Sequence, residues 1–168
     1  MPLTTVTDVA FSPATTSDAA EILVLQRCCW VSVALSNESL DIPALHENLD
    51  TVRDWIESSS VTCARSDGRL VGAVRGSLLG SAWQIARLMV SPDWEGRGLG
   101  RRLLESAEEN APAEASRFEL STGSRSLRNI QIYTRAGYSL LADDEETTFE
   151  RIEGVVYLAK HRQGRFDS

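Results

Sequence analysis

Three glycines at alternate positions, Gly96, Gly98 and Gly100, follow an apolar run and open a stretch with helical periodicity. Glycine leaves room for a ligand where the backbone turns, and it tolerates the left-handed conformation that such turns often need. The first N–H groups of a helix have no partner within it, and the helix dipole makes this end attractive to anions. The spacing therefore predicts an anion-binding turn into which a pyrophosphate would fit.

A tight strand-to-helix turn that binds nothing is the alternative, because spacing alone does not separate the two. Other nucleotide-binding loops match this stretch less well. The dinucleotide fingerprint needs its third glycine where Arg101 stands, and a Walker A loop needs a Gly-Lys-Ser/Thr ending that is absent here. An anion turn of another kind is the better interpretation.

A second group of polar side chains lies further along the chain, before Gly137. Asn129 and Tyr133 are spaced i, i+4 in a helical pattern, so both side chains lie on one helix face and can reach one ligand. A core tyrosine with a satisfied hydroxyl is the alternative for Tyr133. On the strand predicted before this helix, Glu119 and Ser121 alternate onto one face.

The elements that must position these residues follow from apolar periodicity and turn signals. The sequence predicts strands over residues 6–14, 61–65, 70–79, 83–90, 118–121, 138–141 and 155–159. Asp67 and Gly68 suit a tight hairpin turn between the second and third of these strands. No repeat or low-complexity linker divides the chain, so residues 1–168 are expected to form a single domain.

Four amphipathic helices are expected beside the strands. The first carries a stripe of Ile22, Leu25, Cys29 and Val33; the second begins near Pro43 with Leu45, Leu49, Val52 and Ile56; the third carries Leu99, Leu103, Leu104 and Ala107; the fourth covers residues 127–136. Capping signals at Thr16, Ser17 and Asp18 support the start of the first helix, and Gly137 suits the end of the last.

The glycine turn resembles the acetyl-CoA motif of the GNAT superfamily of N-acetyltransferases. Val90-x-Pro92, followed by Glu95-Gly96-Arg97-Gly98-Leu99-Gly100, is similar to the family pattern Gln/Arg-x-x-Gly-x-Gly/Ala, with Glu95 at the usual Gln/Arg position. Tyr133-x-x-x-Gly137-Tyr138 resembles the second signature of the family. The resemblance implies a GNAT-like α/β (α+β) fold, in which about four helices flank a mixed, mostly antiparallel sheet of about six to seven strands.

Residue roles follow from the resemblance as expectations. The backbone of Leu88, Met89 and Val90 would bind pantetheine, and the pyrophosphate would be held by Gly96, Arg97, Gly98, Leu99, Gly100 and Arg101. Asn129 would contact the pantetheine arm or the thioester region, and Tyr133 would protonate the departing thiolate. The family reaction is direct attack of a neutral primary amine on the thioester of acetyl-CoA, with no metal.

The acceptor side is less well marked by the sequence. Glu119 could act as a base through water, although a surface carboxylate is the alternative. Candidate contacts to the acceptor ammonium are Glu38, Asp41 and Glu47, and candidate aromatic or apolar lining residues are Trp30, Leu35, Trp55 and Trp83, each of which could instead be a core residue. The acceptor is a small-molecule or peptide amine of a kind that the sequence leaves open.

Composition narrows the classes of partner. The 168 residues carry a net charge of −7, with arginines scattered singly or in pairs, which disfavours nucleic acid as a partner. No stretch is expected to span a membrane, and the three cysteines imply no disulfide framework, so a cytoplasmic location is expected. A homodimer is left open. The acidic total and Glu95 keep two alternatives: a non-catalytic acyl-CoA-binding protein and a protein-interaction module.

Overall fold

A seven-stranded mixed sheet forms the centre of the molecule, as expected from the sequence. The computed structural model describes residues 8–164. Its strands are β1 (Ala10–Pro13), β2 (Ser60–Ser66), β3 (Arg69–Leu79), β4 (Ala82–Val90), β5 (Arg117–Gly123), β6 (Ser139–Leu140) and β7 (Val155–His161). All seven predicted strands are present, and the first two residues of the strand expected over residues 6–14 lie outside the described residues.

Within residues 8–164, five helices flank the sheet where about four were expected. They are α1 (Ala19–Asn37), α2 (Pro43–His46), α3 (Leu49–Ser58), α4 (Leu99–Glu109) and α5 (Leu127–Arg135). Leu99, Leu103, Leu104 and Ala107 of α4 pack on one face of the sheet. On the other face lie Ile22 and Leu25 of α1 with Val52 and Ile56 of α3. The two apolar clusters thus share the sheet between them.

Strand pairing leaves one gap in the sheet. The strand order is β1-β2-β3-β4-β5-β7-β6, and every neighbouring pair is antiparallel except β4 with β5. These parallel strands pair only from Ala82 to Gln84 on β4 with Arg117 to Glu119 on β5. Beyond Gln84, β4 continues along β3, whereas β5 continues along β7 as far as Gly123. A cleft therefore opens between the carboxyl ends of β4 and β5.

The hairpin turn between β2 and β3 confirms the prediction from Asp67 and Gly68. Their φ angles are 48° and 81°, both in the left-handed region that a two-residue hairpin turn of this kind requires. The turn fixes the register of two central strands. Because side chains alternate between the two faces of a sheet, it also decides which residues of β3 face α4 and which face α1 and α3.

The single helix expected from Pro43 onward is wrong, because the chain breaks after His46. Glu47 adopts an extended conformation with φ −63° and ψ 142°, and Asn48 is also extended. The side chain of Asn48 accepts a hydrogen bond of 2.9 Å from the Thr51 N–H and so caps α3. Asparagine competes well for this role, because its side chain replaces a missing helical acceptor. The break leaves the Glu47 side chain directed toward the sheet.

The expectation that no stretch resembles a membrane span needs correction. Residues Thr16–Asn37 form a helical segment of 22 residues with a mean hydropathy of 1.4 in its most apolar window, long and apolar enough to cross a membrane by length and composition. A core helix can pass the same test. Here Ile22 and Leu25 are buried against the sheet, while Val24 and Leu35 on the outer side of α1 are 64% and 75% exposed.

The Asn48 cap gives a test of the helix break. Asn48→Ala should lower the free energy of unfolding by about 1 kcal/mol, because the N–H of Thr51 loses its acceptor. Asn48→Asp, which keeps an acceptor oxygen, should stay close to the wild type. Urea unfolding measures both, with the exposed Ser36→Ala on α1 as control. Equal stability of Asn48→Ala and the control would contradict the capping role.

Candidate functional site

The glycine turn has the backbone conformation expected of an anion site. Gly96 and Gly98 have φ angles of 75° and 81°, and Gly98 immediately precedes α4. The first backbone bond into the helix from this turn runs from the Arg102 N–H to the Gly98 carbonyl. The N–H groups of Leu99, Gly100 and Arg101 at the start of α4 therefore remain available to a ligand. A Cβ added to Gly98 would meet nothing within 4 Å, so open space faces the turn.

Charges around the turn are arranged so that Glu95 is compensated. Its carboxylate lies 3.5 Å from the guanidinium of Arg128 on α5, and both side chains are largely exposed. Arg97 stacks on the ring of Trp94, with its guanidinium carbon 4.7 Å from the ring centroid. The Glu95 carboxylate, at the usual Gln/Arg position, therefore lies beside a cation from the second motif. This cation offsets the negative charge that Glu95 brings to the anion-binding turn.

Asp93 anchors the start of the turn to β3. It accepts hydrogen bonds from Arg69 at 2.6 and 2.8 Å and from the Ser91 hydroxyl at 2.5 Å. The Arg69 guanidinium and then the Ser91 hydroxyl hold the pKa of Asp93 well below its usual range. The Ser91 N–H also donates to the Val71 carbonyl at 2.8 Å. These contacts therefore fix the position of the chain where the glycine turn begins after β4.

A β-bulge bends β4 at the cleft. Arg75 on β3 faces Ala86, whereas Ala73 faces Met89, so β4 carries one extra residue between these pairs. Arg87 at the bulge has a φ of 51°, which is uncommon for a residue other than glycine. Because β4 pairs with β5 only as far as Gln84, the edge that contains Leu88, Met89 and Val90 faces the cleft. Pantetheine contacts there stay a prediction.

Helix α1 crosses the cleft on one face of the sheet. The Cys29 thiol donates to the Val90 carbonyl on β4 at 3.2 Å. A Cβ added to Gly123 at the end of β5 would lie 3.1 Å from the Asn37 side chain. Contacts of α1 with both separated strands therefore hold the two sides of the cleft on this face, while α4 and α5 begin at the carboxyl ends of the same strands.

The two α5 residues of the second motif lie beside β5. The Asn129 amide donates to the Thr122 hydroxyl at 3.3 Å. Tyr133 packs edge-on against Tyr138, with the ring centroids 6.4 Å apart. Burial raises the pKa of Tyr133 to about 12, so its phenol is protonated at neutral pH, as a proton donor must be. Among residues 8–164 its hydroxyl has no hydrogen-bond partner, and the acid role stays a prediction.

Glu119 lies on β5 but its carboxylate is fully buried and hydrogen-bonded. One oxygen pairs with Arg117, and the other accepts from the hydroxyls of Thr147 and Thr148 at 3.1 and 2.6 Å and from the Thr148 N–H at 2.8 Å. Burial alone would raise the pKa of Glu119, but these hydrogen bonds outweigh it and lower the pKa. The contacts indicate an anchor for the loop after β6; a base role stays a prediction.

An ion pair brings the helix break and the bulge together. Glu47 accepts a hydrogen bond of 2.5 Å from Arg87 and one of 2.8 Å from the buried amide of Gln26 on α1. Burial acts to raise the pKa of Glu47, but the hydrogen bond and charge of Arg87 outweigh it, so the pKa lies below its ordinary value. Glu47 is therefore ionised at neutral pH and holds α1 and the α2–α3 segment against β4.

Two of the four lining candidates reach this face. Trp30 lies near Arg87 and Trp55 near Arg75, with guanidinium carbons 5.8 and 5.3 Å from the ring centroids. Trp83 is instead a core residue under α4, where its indole N–H donates to the Ala107 carbonyl at 2.8 Å. Leu35 is 75% exposed on α1.

Of the three acidic candidates for the acceptor ammonium, Glu47 lies beside the bulge of β4, and Glu38 lies 3.7 Å from the guanidinium of Arg125, just after β5. Glu38 and Asp41 are exposed beyond α1. Arg75, Arg87 and Gln26 also lie here and were not among the predicted site residues. A signal for Arg75 was present, because it is a single charge within the apolar run of β3.

Metal or thiol chemistry finds no support among the described residues. Residues 8–164 contain no group of three or more His, Cys, Asp and Glu side chains that could hold a metal ion. Burial raises the pKa of Cys29 to about 12 and that of Cys63 to about 11. Both thiols therefore stay protonated at neutral pH and act as packing residues.

Removing the Glu47 charge tests the ion pair. Glu47→Gln should lower the free energy of unfolding by about 1.5–3 kcal/mol at neutral pH, because Arg87 loses a charged acceptor. The pKa of Glu47 is lowered in the folded state, so its contribution is present above the unfolded pKa and disappears in acid. The difference from wild type should shrink below about pH 4.

The control for this prediction is Glu105→Gln, whose ion pair with Arg101 is exposed and is expected to contribute about 0.5 kcal/mol or less. Chemical unfolding over a range of pH measures both variants. A loss in Glu47→Gln no larger than in Glu105→Gln would show that the Glu47–Arg87 pair does not hold the site together.

Known structures share this architecture. The PaiA N-acetyltransferase from Thermoplasma acidophilum, solved with coenzyme A, superposes with a TM-score of 0.78 at 14% identity over 92% of this chain and 99% of that one. YncA from Salmonella typhimurium, solved with its cofactor acetyl-CoA, gives a TM-score of 0.69 at 18% identity, covering 92% and 94% of the two chains. At these identities the likeness concerns the fold.

Sequence comparison gives two further findings. The UPF0157 protein YqkA of Bacillus subtilis (strain 168) is 30% identical over 122 residues, which is 71% of this chain but 34% of that protein, so the chain spans about a third of the length of this relative. The profile of the Acetyltransferase (GNAT) family matches residues 21–138, which include the glycine turn, the cleft and α5. Since this match covers well over half of the residues, the chain belongs to the GNAT acetyltransferase family.

Proposed function

We propose that the protein transfers an acetyl group from acetyl-CoA to a primary amine. The observation that carries this proposal is the meeting of the cleft and the glycine turn at the carboxyl ends of the same two parallel strands. A donor whose pyrophosphate lies on the turn can extend its pantetheine arm between β4 and β5. Its thioester would then lie near the bulge at Arg87.

Donor binding is assigned to the backbone more than to side chains. The N–H groups from Gly96 to Arg101 would surround the pyrophosphate, with the dipole of α4 adding to the attraction. The backbone groups of Leu88, Met89 and Val90 would donate hydrogen bonds to the pantetheine arm and accept hydrogen bonds from it, as those of an unpaired strand edge do. Arg128, now paired with Glu95, is close enough to the turn to contribute a cation.

The chemical step is nucleophilic acyl transfer without a covalent enzyme intermediate. The nitrogen lone pair of the neutral amine attacks the thioester carbonyl carbon, the carbon–sulfur bond breaks, and the CoA thiolate takes a proton from Tyr133. The attacking nitrogen loses its proton to water, and Tyr133 regains a proton from water, leaving an amide, the CoA thiol and the enzyme in its starting state. Holding both reactants in one cleft supplies much of the rate enhancement, and a positioned acid typically adds ~10²–10⁴-fold.

A non-catalytic acyl-CoA-binding protein is the second candidate function, and one observation favours it. The carboxylate of Glu119, the base candidate on β5, is fully buried, and both its oxygens are already occupied by hydrogen bonds. Acetyl-CoA binding without turnover on any amine would support this second candidate. The direct mechanism does not need a strong base if the acceptor enters as the free amine.

We also propose a reducing compartment, such as the cytoplasm, as the place of action. Cys28, Cys29 and Cys63 are free thiols, and Cys28 is exposed on α1. An exposed thiol persists where glutathione and thioredoxin keep cysteines reduced.

Thermal unfolding with and without acetyl-CoA tests the donor. At 100 times its dissociation constant a ligand adds about 2.7 kcal/mol, which should raise the midpoint by roughly 5–11 °C for a chain of this size. Gly98→Asp should abolish the shift, because it strains a φ of 81° and puts a negative charge at the anion turn.

The control variant is Gly80→Asp, at the hairpin between β3 and β4, away from the turn. Gly80 also has a positive φ, 59°, and open space around it. This variant should lose some stability but keep the full acetyl-CoA shift. No shift in the wild type, or an undiminished shift in Gly98→Asp, would contradict the placement of the donor.

Tyr133→Phe tests the acid role. It should leave acetyl-CoA binding nearly intact and lower kcat by about 10²-fold or more, because the departing thiolate loses its proton donor. Release of CoA thiol measures the rate. Tyr138→Phe is the matched control: the Tyr138 hydroxyl donates to the partly buried Glu108, so its loss should affect stability and leave kcat largely unchanged. Equal kcat in wild type and Tyr133→Phe would remove Tyr133 from the mechanism.

A further inference from the structure

Two hydrogen-bond donors without partners lie next to each other between β3 and α3. The Nε of Arg75 and the indole Nε1 of Trp55 are both buried, and neither has a hydrogen-bond partner among the described residues. The Arg75 guanidinium carbon lies 5.3 Å from the centroid of the Trp55 ring, and Trp55 is only 6% exposed. Buried donors are nearly always satisfied in native proteins, so a pair of orphans indicates an absent acceptor.

The charges around Arg75 also favour the binding of an anion there. No carboxylate of residues 8–164 lies within ion-pair distance of Arg75, and the nearest acidic group, Glu47, is already bound to Arg87 and Gln26. Burial, and then the positive charge of Arg87, lower the pKa of Arg75, and the negative charge of Glu47 offsets only part of this effect. A partly buried guanidinium beside a second cation is unfavourable for folding unless an anion compensates it.

The position of Arg75 connects this anion site with the cleft. Arg75 pairs with Ala86, the residue immediately before the bulge at Arg87, and β4 has already separated from β5 at this level. Its side chain lies on the face covered by α1 and α3, opposite α4. An anion bound there would lie beside the bulge near which the thioester would lie, on the side from which an acceptor would approach.

We propose that the acceptor is a small amine that carries a carboxylate, as a free amino acid does, and that Arg75 and the indole N–H of Trp55 bind this carboxylate. The inference rests on the acetyl transfer proposed above and names its substrate class. Bidentate hydrogen bonding from a guanidinium is suited to a planar carboxylate. The Nε of Arg75 and the Nε1 of Trp55 both gain an acceptor from the same group.

The same charges assist the reaction and select against other amines. Two arginines and one glutamate leave a net positive charge around the acceptor, which lowers the pKa of its ammonium group and increases the fraction present as the attacking free amine. The ammonium proton then passes to water before attack. A polyamine, which has cations and no carboxylate, would be repelled by the same two guanidinium groups.

An acceptor panel distinguishes these classes. Release of CoA thiol from acetyl-CoA is followed with free amino acids, the carboxamides of the same amino acids, the corresponding decarboxylated amines, and spermidine. At least one free amino acid should be an acceptor, and its carboxamide should lose about 10–100-fold in kcat/KM, as expected when a charged hydrogen bond is lost. Equal or better use of the carboxamide, the decarboxylated amine or spermidine would overturn the inference.

Arg75→Gln tests the residue itself. It should raise KM for the amino acid about 10–100-fold with little change in kcat, and leave the kinetics of the carboxamide unaltered. Arg75→Lys should recover part of the loss. Trp55→Phe should weaken binding of the amino acid, because it removes the indole N–H and keeps an aromatic ring under Arg75. Arg53→Gln, an exposed arginine on α3, is the matched control. An equal loss for the amino acid and its carboxamide would indicate a structural role and contradict carboxylate binding.

Two measurements keep this inference separate from the proposed function. The acetyl-CoA thermal shift reports the donor site alone, so its absence defeats acetyl transfer. Calorimetric titration of the free protein with the amino acids and their carboxamides reports the Arg75 site without any turnover. Donor binding with no amino acid bound or acetylated would overturn the carboxylate site and leave the acetyl transfer standing. The free Arg75→Gln protein should be no less stable than the wild type.

Discussion

The separation of β4 from β5 is the constraint on which the rest of the molecule depends. Parallel pairing stops at Gln84 and Glu119, after which each strand keeps only its outer neighbour. Backbone groups on the two inner edges then lack strand partners, and such groups are unfavourable unless water or a ligand satisfies them. The fold accepts this because the sheet is continuous on both sides of the gap and α1 contacts both strands across it.

Two local irregularities on the face covered by α1 and α3 stabilise each other. The bulge gives Arg87 a left-handed backbone, and the helix break gives Glu47 an extended one. By itself, the bulge would be a small backbone strain, and the helix break would be a lost helical turn. The 2.5 Å contact between the two side chains joins them, and Gln26 adds a third element through the same carboxylate. The α2–α3 segment, α1 and the bent strand β4 are therefore held together through one carboxylate.

Local signals explain what could be predicted from the sequence. Apolar periodicity located all seven strands, and the positive φ angles at Asp67, Gly68 and Gly98 occur where turn chemistry predicted them. The break at Glu47 was missed because the apolar stripe continues through it, and only the Asn48 cap reveals the new helix start. Periodicity indicates which face of a helix is apolar, but it does not detect an interruption of two residues such as Glu47 and Asn48.

Non-local pairing accounts for the other differences between prediction and structure. Three of the four hydrogen bonds that occupy Glu119 come from a loop that returns after two intervening elements, so no spacing in the sequence could show them. Trp83 was a candidate for the acceptor wall, and strand alternation turns it toward α4 instead. Side-chain direction at the bulge is equally hidden, because one extra residue reverses the alternation after it.

Arg75 shows how a local charge can oppose the charge of the whole chain. The net charge of −7 would attract cations at long range, and by itself would favour a cationic acceptor. At physiological ionic strength such a field is screened over about 8 Å, whereas groups inside a partly buried cleft act on a ligand with much less screening. At the proposed acceptor site, the charges of Arg75 and Arg87 would therefore outweigh the charge of the whole chain, and the acidic surface would affect only the approach of the acceptor. Selection for an amine that also carries a carboxylate reconciles the two, since its ammonium group suits the outer field and its carboxylate suits the two orphaned donors.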